Sequence, residues 1–157
     1  MRILVVSDSH GSIHNLLEAL RSEPTAEIVY FLGDGENDLK AVKPLYPERF
    51  IIAVKGNCDM YSSLPEKDVR TVENTRIYAC HGYNEKVKYG NITIRYCARE
   101  NECNLVLFGH THLPEYIYDS ELNMHLFNPG SVREGSYGVV DITHNGIMCI
   151  NKKLPAY

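Results

Sequence analysis

Five short segments hold most of the residues in this chain that could do chemistry: Asp8-Ser9-His10, Gly33-Asp34, Gly56-Asn57-Cys58-Asp59, His81-Gly82 and Gly109-His110-Thr111-His112. Each follows an apolar run, where a strand should end. Asp8/His10 and His110/His112 are spaced i, i+2, so in extended backbone each pair would point the same way. Imidazoles, carboxylates and an amide form a mixed nitrogen and oxygen donor set that suits Mn, Fe, Ni, Co or Zn. Mg or Ca would prefer oxygen alone. Seven strong donors are too many for one tetrahedral ion and suit two ions sharing a carboxylate. A single strand-end Asp is more often a turn former or helix cap. The metal reading rests on the five segments taken together.

The elements that must position these residues follow from periodicity. "RILVV" is a continuous apolar run, expected for a strand buried on both faces. Ser12 can cap a helix whose Ile13, Leu16, Leu17 and Leu20 share one side. "EIVYFLG" is a second strand, residues 36–43 a short helix ended by Pro44, and "RFIIAVKG" a third strand. This βαβαβ start implies parallel strands with right-handed crossovers. Next come a hairpin turning at Glu73-Asn74, a helix over 91–102 and the strand "LVLFG". A β-rich end follows ("PEYIYDS", "LNMHLFN", "YGVVDI" and "GIMCIN"), with Asn145-Gly146 signalling a tight hairpin. The expected class is α/β, with two packed mixed sheets and helices outside. In such sheets ligands bind beyond the carboxyl ends of parallel strands, where the five segments fall.

The bulk numbers agree. A chain of 157 residues with 44% hydrophobic content fits one domain, 1–157, with a real core. A net charge of −4 argues against a general nucleic-acid binder, although bound metal ions would add positive charge that this count omits. Five cysteines, none in a CxxC pair, read as reduced thiols of a cytoplasmic protein. No apolar stretch reaches the length of a signal-peptide core or a membrane span.

In this order, "DSH", "GD", "GNCD", "HG" and "GHTH" resemble the calcineurin-like metallophosphoesterase superfamily. The short length and "NPGSVR" at 128–133 resemble its small bacterial and archaeal phosphodiesterase branch. The resemblance spans roughly residues 3–142. It implies a four-layer α/β/β/α sandwich of two mixed β-sheets flanked by helices, without a cap domain. It also implies that Asp8, His10 and His112 hold one ion, that Asn57, His81 and His110 hold a second, and that Asp34 bridges both through its two oxygens. The expected cofactors are two divalent ions per chain, Mn foremost, with Ni, Co, Fe or Zn as alternatives. The implied reaction is phosphodiester hydrolysis by a metal-bridging hydroxide, with Asp34, Asn57 and His81 as the catalytic set. Small or activated diesters are the implied substrates. The branch also implies a homodimer or higher homo-oligomer.

Larger members carry "GNH[DE]", whose His is proposed to protonate the leaving oxygen; here Cys58 stands in its place. A thiol with a reference pKa of about 8.5 is a poor substitute for an imidazolium. Esters with good leaving groups are therefore expected, with Asn57 and Cys58 near the substrate. Asn128 either reaches the site rim or builds the Pro129-Gly130 turn, and Arg133 contacts either phosphate or a surface carboxylate. Asp38 is expected at the solvent face of its helix. Asp59 is expected to order its turn, and Gly33, Gly56 and Gly109 to let backbone approach the ions. His14, His125 and His144 are expected at the surface or in packing. Three competing readings are a phosphomonoesterase, a nuclease of the same superfamily, and a scaffold like the similarly folded retromer subunit of eukaryotes.

Overall fold

The structure is a computed structural model and describes residues 1–156. Ten strands form two five-stranded mixed sheets. The first has the order β10-β9-β1-β2-β3, built from β1 (Arg2–Val6), β2 (Ile28–Phe31), β3 (Phe50–Ala53), β9 (Ser136–Thr143) and β10 (Gly146–Lys153). The second has the order β4-β5-β6-β8-β7, from β4 (Lys67–Val72), β5 (Thr75–Cys80), β6 (Leu105–Leu107), β7 (Pro114–Asp119) and β8 (Met124–Pro129). β1, β2 and β3 run parallel, as do β5, β6 and β8; β9, β10, β4 and β7 pair antiparallel with their neighbours.

Three cores make four layers. Ile3, Val5 and Leu32 of the first sheet meet Ile77, Leu107 and Phe127 of the second. The opposite face of the first sheet, with Leu4, Val6 and Phe31, packs on Leu16 and Leu20 of α1 (Ile13–Ser22) and Leu39 of α2 (Glu36–Val42). The outer face of the second sheet, with Tyr78 and Val106, covers Ile94 and Ala98 of α3 (Ile92–Glu100). This is the α/β/β/α sandwich expected. The apolar runs alternate between the central core and an outer one, so both faces of β1 and β2 are buried and no polar alternation appears.

Local details depart from expectation in three places. Ser12 precedes α1 but makes no side-chain capping bond. α2 stops at Val42, and Pro44 sits within a 3-10 turn over Lys43–Leu45 that prolongs the chain's helical path. The last hairpin turns at His144 and Asn145, with Gly146 already paired to Thr143. No helix among the described residues is long and apolar enough to cross a membrane.

Candidate metal centre

The exits of β1, β2 and β3 open beside the exits of β5 and β6, and the five polar segments meet there. Asp8 is fully buried. Its Oδ2 accepts the Ser7 hydroxyl at 2.6 Å and the His110 main-chain N–H at 3.0 Å. Its Oδ1 is left without a hydrogen-bond partner, although His112 Nε2 lies at 3.2 Å and His10 Nε2 at 3.5 Å. The two imidazole nitrogens are themselves 3.3 Å apart. Asp8, His10 and His112 thus form one converging group.

Asp34, His81 and His110 form the other. The Nδ1–H of His81 donates to the Leu32 carbonyl at 2.6 Å, which leaves Nε2 as the lone-pair nitrogen. That buried Nε2 lies 3.2 Å from Asp34 Oδ2 and 3.9 Å from Asp8 Oδ1 but lacks hydrogen-bond geometry to either. Asp34 Oδ1 accepts the Cys58 main-chain N–H at 2.8 Å. Its Oδ2 lies between the two groups, 3.2 Å from His81 Nε2 and 3.7 Å from His10 Nε2. One Asp34 oxygen is thus anchored by the backbone and the other faces both groups.

The backbone is not the extended one assumed for the i, i+2 pairs. Asp8, His10, Asp34, His110 and His112 all have left-handed φ, between 41° and 69°. Five non-glycine residues in this region mark a constrained site. The tight turns keep Asp8 and His10 together but send His110 and His112 into different groups. Space for them comes from glycine. A Cβ at Gly56 would lie 2.0 Å from Asp34 Oδ1, and one at Gly109 would lie 2.0 Å from Ser7 Oγ. These glycines make room for the Asp34 carboxylate and for the Ser7 hydroxyl that anchors Asp8.

Charge balance is unusual. Burial opposes the Asp34 charge, but the nearby His81 ring, 3.2 Å away, and the Cys58 N–H outweigh it and lower its pKa to about 2. Burial likewise opposes a charged His81, yet Asp34 and Asp8 push its pKa up. Burial, then His81 and Lys88, push His110 down. With its Nε2 unprotonated, the His81 imidazole and the two buried carboxylates would be balanced by a cation between them. The orphaned Asp8 Oδ1 and His81 Nε2 are where it would bind, and the nitrogen and oxygen donors fit a borderline divalent ion.

The remaining candidates sort clearly. Asn57 is exposed, contacts Cys58 Sγ through Nδ2 at 3.5 Å, and lines a cleft of about 330 Å³ with His81. Cys58 is exposed and lies with His10 and Asp34; its limited burial and then the Asp34 charge push its thiol pKa up. Asn128 takes the second of its two expected roles, building the Pro129-Gly130 turn: it is fully buried, its amide donates to Gly109 O and Thr111 Oγ1, and its Oδ1 accepts the Gly130 N–H. It thereby holds the His110–His112 loop. The exposed Arg133 uses its main chain, donating to Asp8 O at 3.4 Å and accepting from Asn15 at 3.0 Å. Asp38 is corrected, being buried where Ser9 Oγ and the Gly11 N–H bind its Oδ2. Asp59 does order its turn, accepting four main-chain N–H groups. Sequence inspection missed the anchors Ser7 and Leu32; a Ser beside the first Asp was the one visible hint.

The geometry agrees with comparison to known proteins. The model for the calcineurin-like phosphoesterase superfamily domain matches residues 1–145. The chain belongs to that superfamily. It is 30% identical to a probable metallophosphoesterase, YsnB of Bacillus subtilis, over 85% of this chain and 76% of that one. It is 26% identical to the phosphodiesterase YfcE of Escherichia coli, over 96% and 93% of the two chains. A crystal structure of a predicted phosphoesterase from Streptococcus pneumoniae superposes with a TM-score of 0.75 at 27% identity, covering 96% of this chain and 97% of that one.

Proposed function

We propose that this chain is a metal-dependent phosphodiesterase that hydrolyses small or activated phosphodiesters at a two-ion centre. The observation that carries the reading is the pair of buried, unpartnered atoms Asp8 Oδ1 and His81 Nε2, converging with His10, His112 and Asp34. Asp8, His10 and His112 would hold one ion, and Asn57, His81 and His110 the other, with Asp34 shared. Mn is the expected ion, with Ni, Co, Fe or Zn as alternatives. When bound, such ions polarise a phosphoryl oxygen and lower the pKa of water.

The protein's own residues supply position. Ser7 and the His110 N–H fix one Asp8 oxygen so that the other points inward. The Leu32 carbonyl locks the His81 tautomer, and the Cys58 N–H sets the Asp34 carboxylate. The exposed Asn57, whose Nδ2 contacts Cys58 Sγ, can turn its amide N–H toward a phosphate oxygen. The Cys58 thiol stays protonated and is a weak acid, so it gives a leaving oxygen little help. This supports a preference for diesters with good leaving groups. The complete ligand set supports catalysis over a scaffold role.

Metal analysis combined with assays tests the proposal. The purified protein should carry about two divalent ions per chain. Loaded with Mn, it should hydrolyse bis(p-nitrophenyl) phosphate faster than p-nitrophenyl phosphate. Asp34→Ala and Asn57→Ala should abolish this turnover while circular dichroism stays native. A Mn-loaded protein inert toward every activated diester overturns the reading.

A further inference from the structure

Beside His110 lies a second cavity, of about 860 Å³, lined by Asn57, Tyr83, Lys86, Lys88 and Tyr89 as well as His110. The metal centre uses none of the side chains from Tyr83 to Tyr89, yet the segment carrying them is firmly built. The Lys86 N–H donates to Tyr83 O, the Val87 N–H to Gly82 O, and the Tyr89 N–H to Lys86 O. Val87 is buried, packed so closely that a Cβ on Gly82 would lie 2.7 Å from its Cγ2. Lys86 takes a left-handed φ of 55°. One anchored valine thus leaves the lysines on either side of it, and both tyrosines, at the surface.

Their exposure is specific. Tyr89 is 92% exposed and Tyr83 56%, with the Tyr83 ring perpendicular to His110 at 5.4 Å. Neither Lys86 nor Lys88 has a carboxylate partner among the described residues. Glu85, between them and Tyr83, is instead held by the buried Tyr78 hydroxyl at 3.2 Å. In a chain of net charge −4, two unpaired ammonium groups and two open aromatic rings share one cavity with a proposed ligand, His110. The volume falls within the range of small-molecule sites.

We propose that this cavity binds one arm of the diester and that the arm is a nucleotide, with its base against Tyr83 and Tyr89 and a further phosphate on Lys86 and Lys88. The inference rests on the phosphodiesterase reading above. Bases stack on aromatic side chains whatever their identity, and lysine binds phosphate as a point charge. An uncharged aryl arm would leave the lysines without a role, and a bare anion would leave the tyrosines without one. In the reaction the oxygen of water bonds to phosphorus, the P–O bond to one arm breaks, and the oxygen that leaves takes up a proton. The products are an alcohol and a phosphomonoester.

The test compares the 5′-phosphorylated dinucleotide pApA with bis(p-nitrophenyl) phosphate, using Mn-loaded protein. The native chain should favour pApA in kcat/KM. The double variant Lys86→Ala/Lys88→Ala should cut that preference by about tenfold, as expected for losing a charged phosphate contact. By calorimetry, Tyr89→Ala should weaken binding of adenosine 5′-monophosphate by about tenfold and leave inorganic phosphate unaffected. If bis(p-nitrophenyl) phosphate is hydrolysed but pApA holds no advantage, or the variants treat both alike, the subsite is wrong and the phosphodiesterase reading stands. If neither diester is hydrolysed, the phosphodiesterase reading itself falls.

Discussion

Asp59 accepts the main-chain N–H of Asp34 at 2.9 Å, so a carboxylate with no part in the metal centre sets the backbone of one that faces it. The same side chain accepts the N–H groups of Gly35 and Glu36 on Oδ1 and of Gly56 on Oδ2. It therefore joins the loop after β2 to the loop after β3 and caps the start of α2. Asp59→Ala leaves four donors without this acceptor and should cost about 3 kcal/mol of stability. Asp59→Asn should be no better, because one oxygen becomes an NH₂ facing two N–H donors. Urea denaturation measures both, and an Asn variant of native stability would contradict this account.

Gly56 leaves no room for a side chain. An alanine Cβ there would sit 2.4 Å from the Asp34 main-chain nitrogen as well as against its carboxylate. Backbone cannot yield as a flexible side chain can. Gly56→Ala should lose at least tenfold in Mn affinity while retaining the secondary structure of the two sheets. Calorimetric Mn titration with circular dichroism decides it; unchanged affinity would show that the loop has room after all.

Cys58 contributes its backbone more than its thiol. Its N–H holds Asp34 Oδ1, and a serine keeps that N–H. Cys58→Ser should leave metal content intact and change diester hydrolysis less than about tenfold, below the roughly hundredfold at which general acid catalysis begins. Loss of both ions in this variant would mean that the sulfur, close to His10 and Asp34, is a ligand.

His125 links stability to pH. Burial next to Tyr116 and Tyr118, with its Nδ1 2.9 Å from the Tyr116 hydroxyl, lowers its pKa. The folded chain prefers the neutral ring, so the unfolded chain takes up the proton first on acidification. The stability this preserves is present above about pH 6.5 and is lost as the pH falls through the lower folded value. His125→Phe should reduce the drop in melting temperature between neutral and mildly acidic buffer. An equal drop in the variant would assign the acid sensitivity elsewhere.

The layering and the clustering of the polar segments were legible because both depend on short-range pattern. Apolar runs such as "RILVV" announce strands buried on two faces, and the polar residues that follow them stand out. What could not be read depends on residues far apart in the chain. Asp38 looked solvent-facing until the loop at Ser9 and Gly11 closed over it, 27 residues or more away. Asn128 was balanced between rim and turn, and only the position of Gly109 and Thr111 decided for burial. The left-handed turns at Asp8, His10, His110 and His112 were equally hidden, since none of these is a glycine.

The division of the ligands between two sheets has a consequence for how the site comes into being. Asp8, His10, Asp34 and Asn57 leave the ribosome well before His81, His110 and His112. Two of the three converging groups span both sheets: one needs His112, the other His81 and His110, while His10, Asp34 and Cys58 all follow strands of the first sheet. During synthesis, which proceeds at roughly 5–20 residues per second, the first half of the chain emerges with Asp8 and Asp34 still without these three imidazoles. The full cluster can assemble only once the second sheet packs on the first.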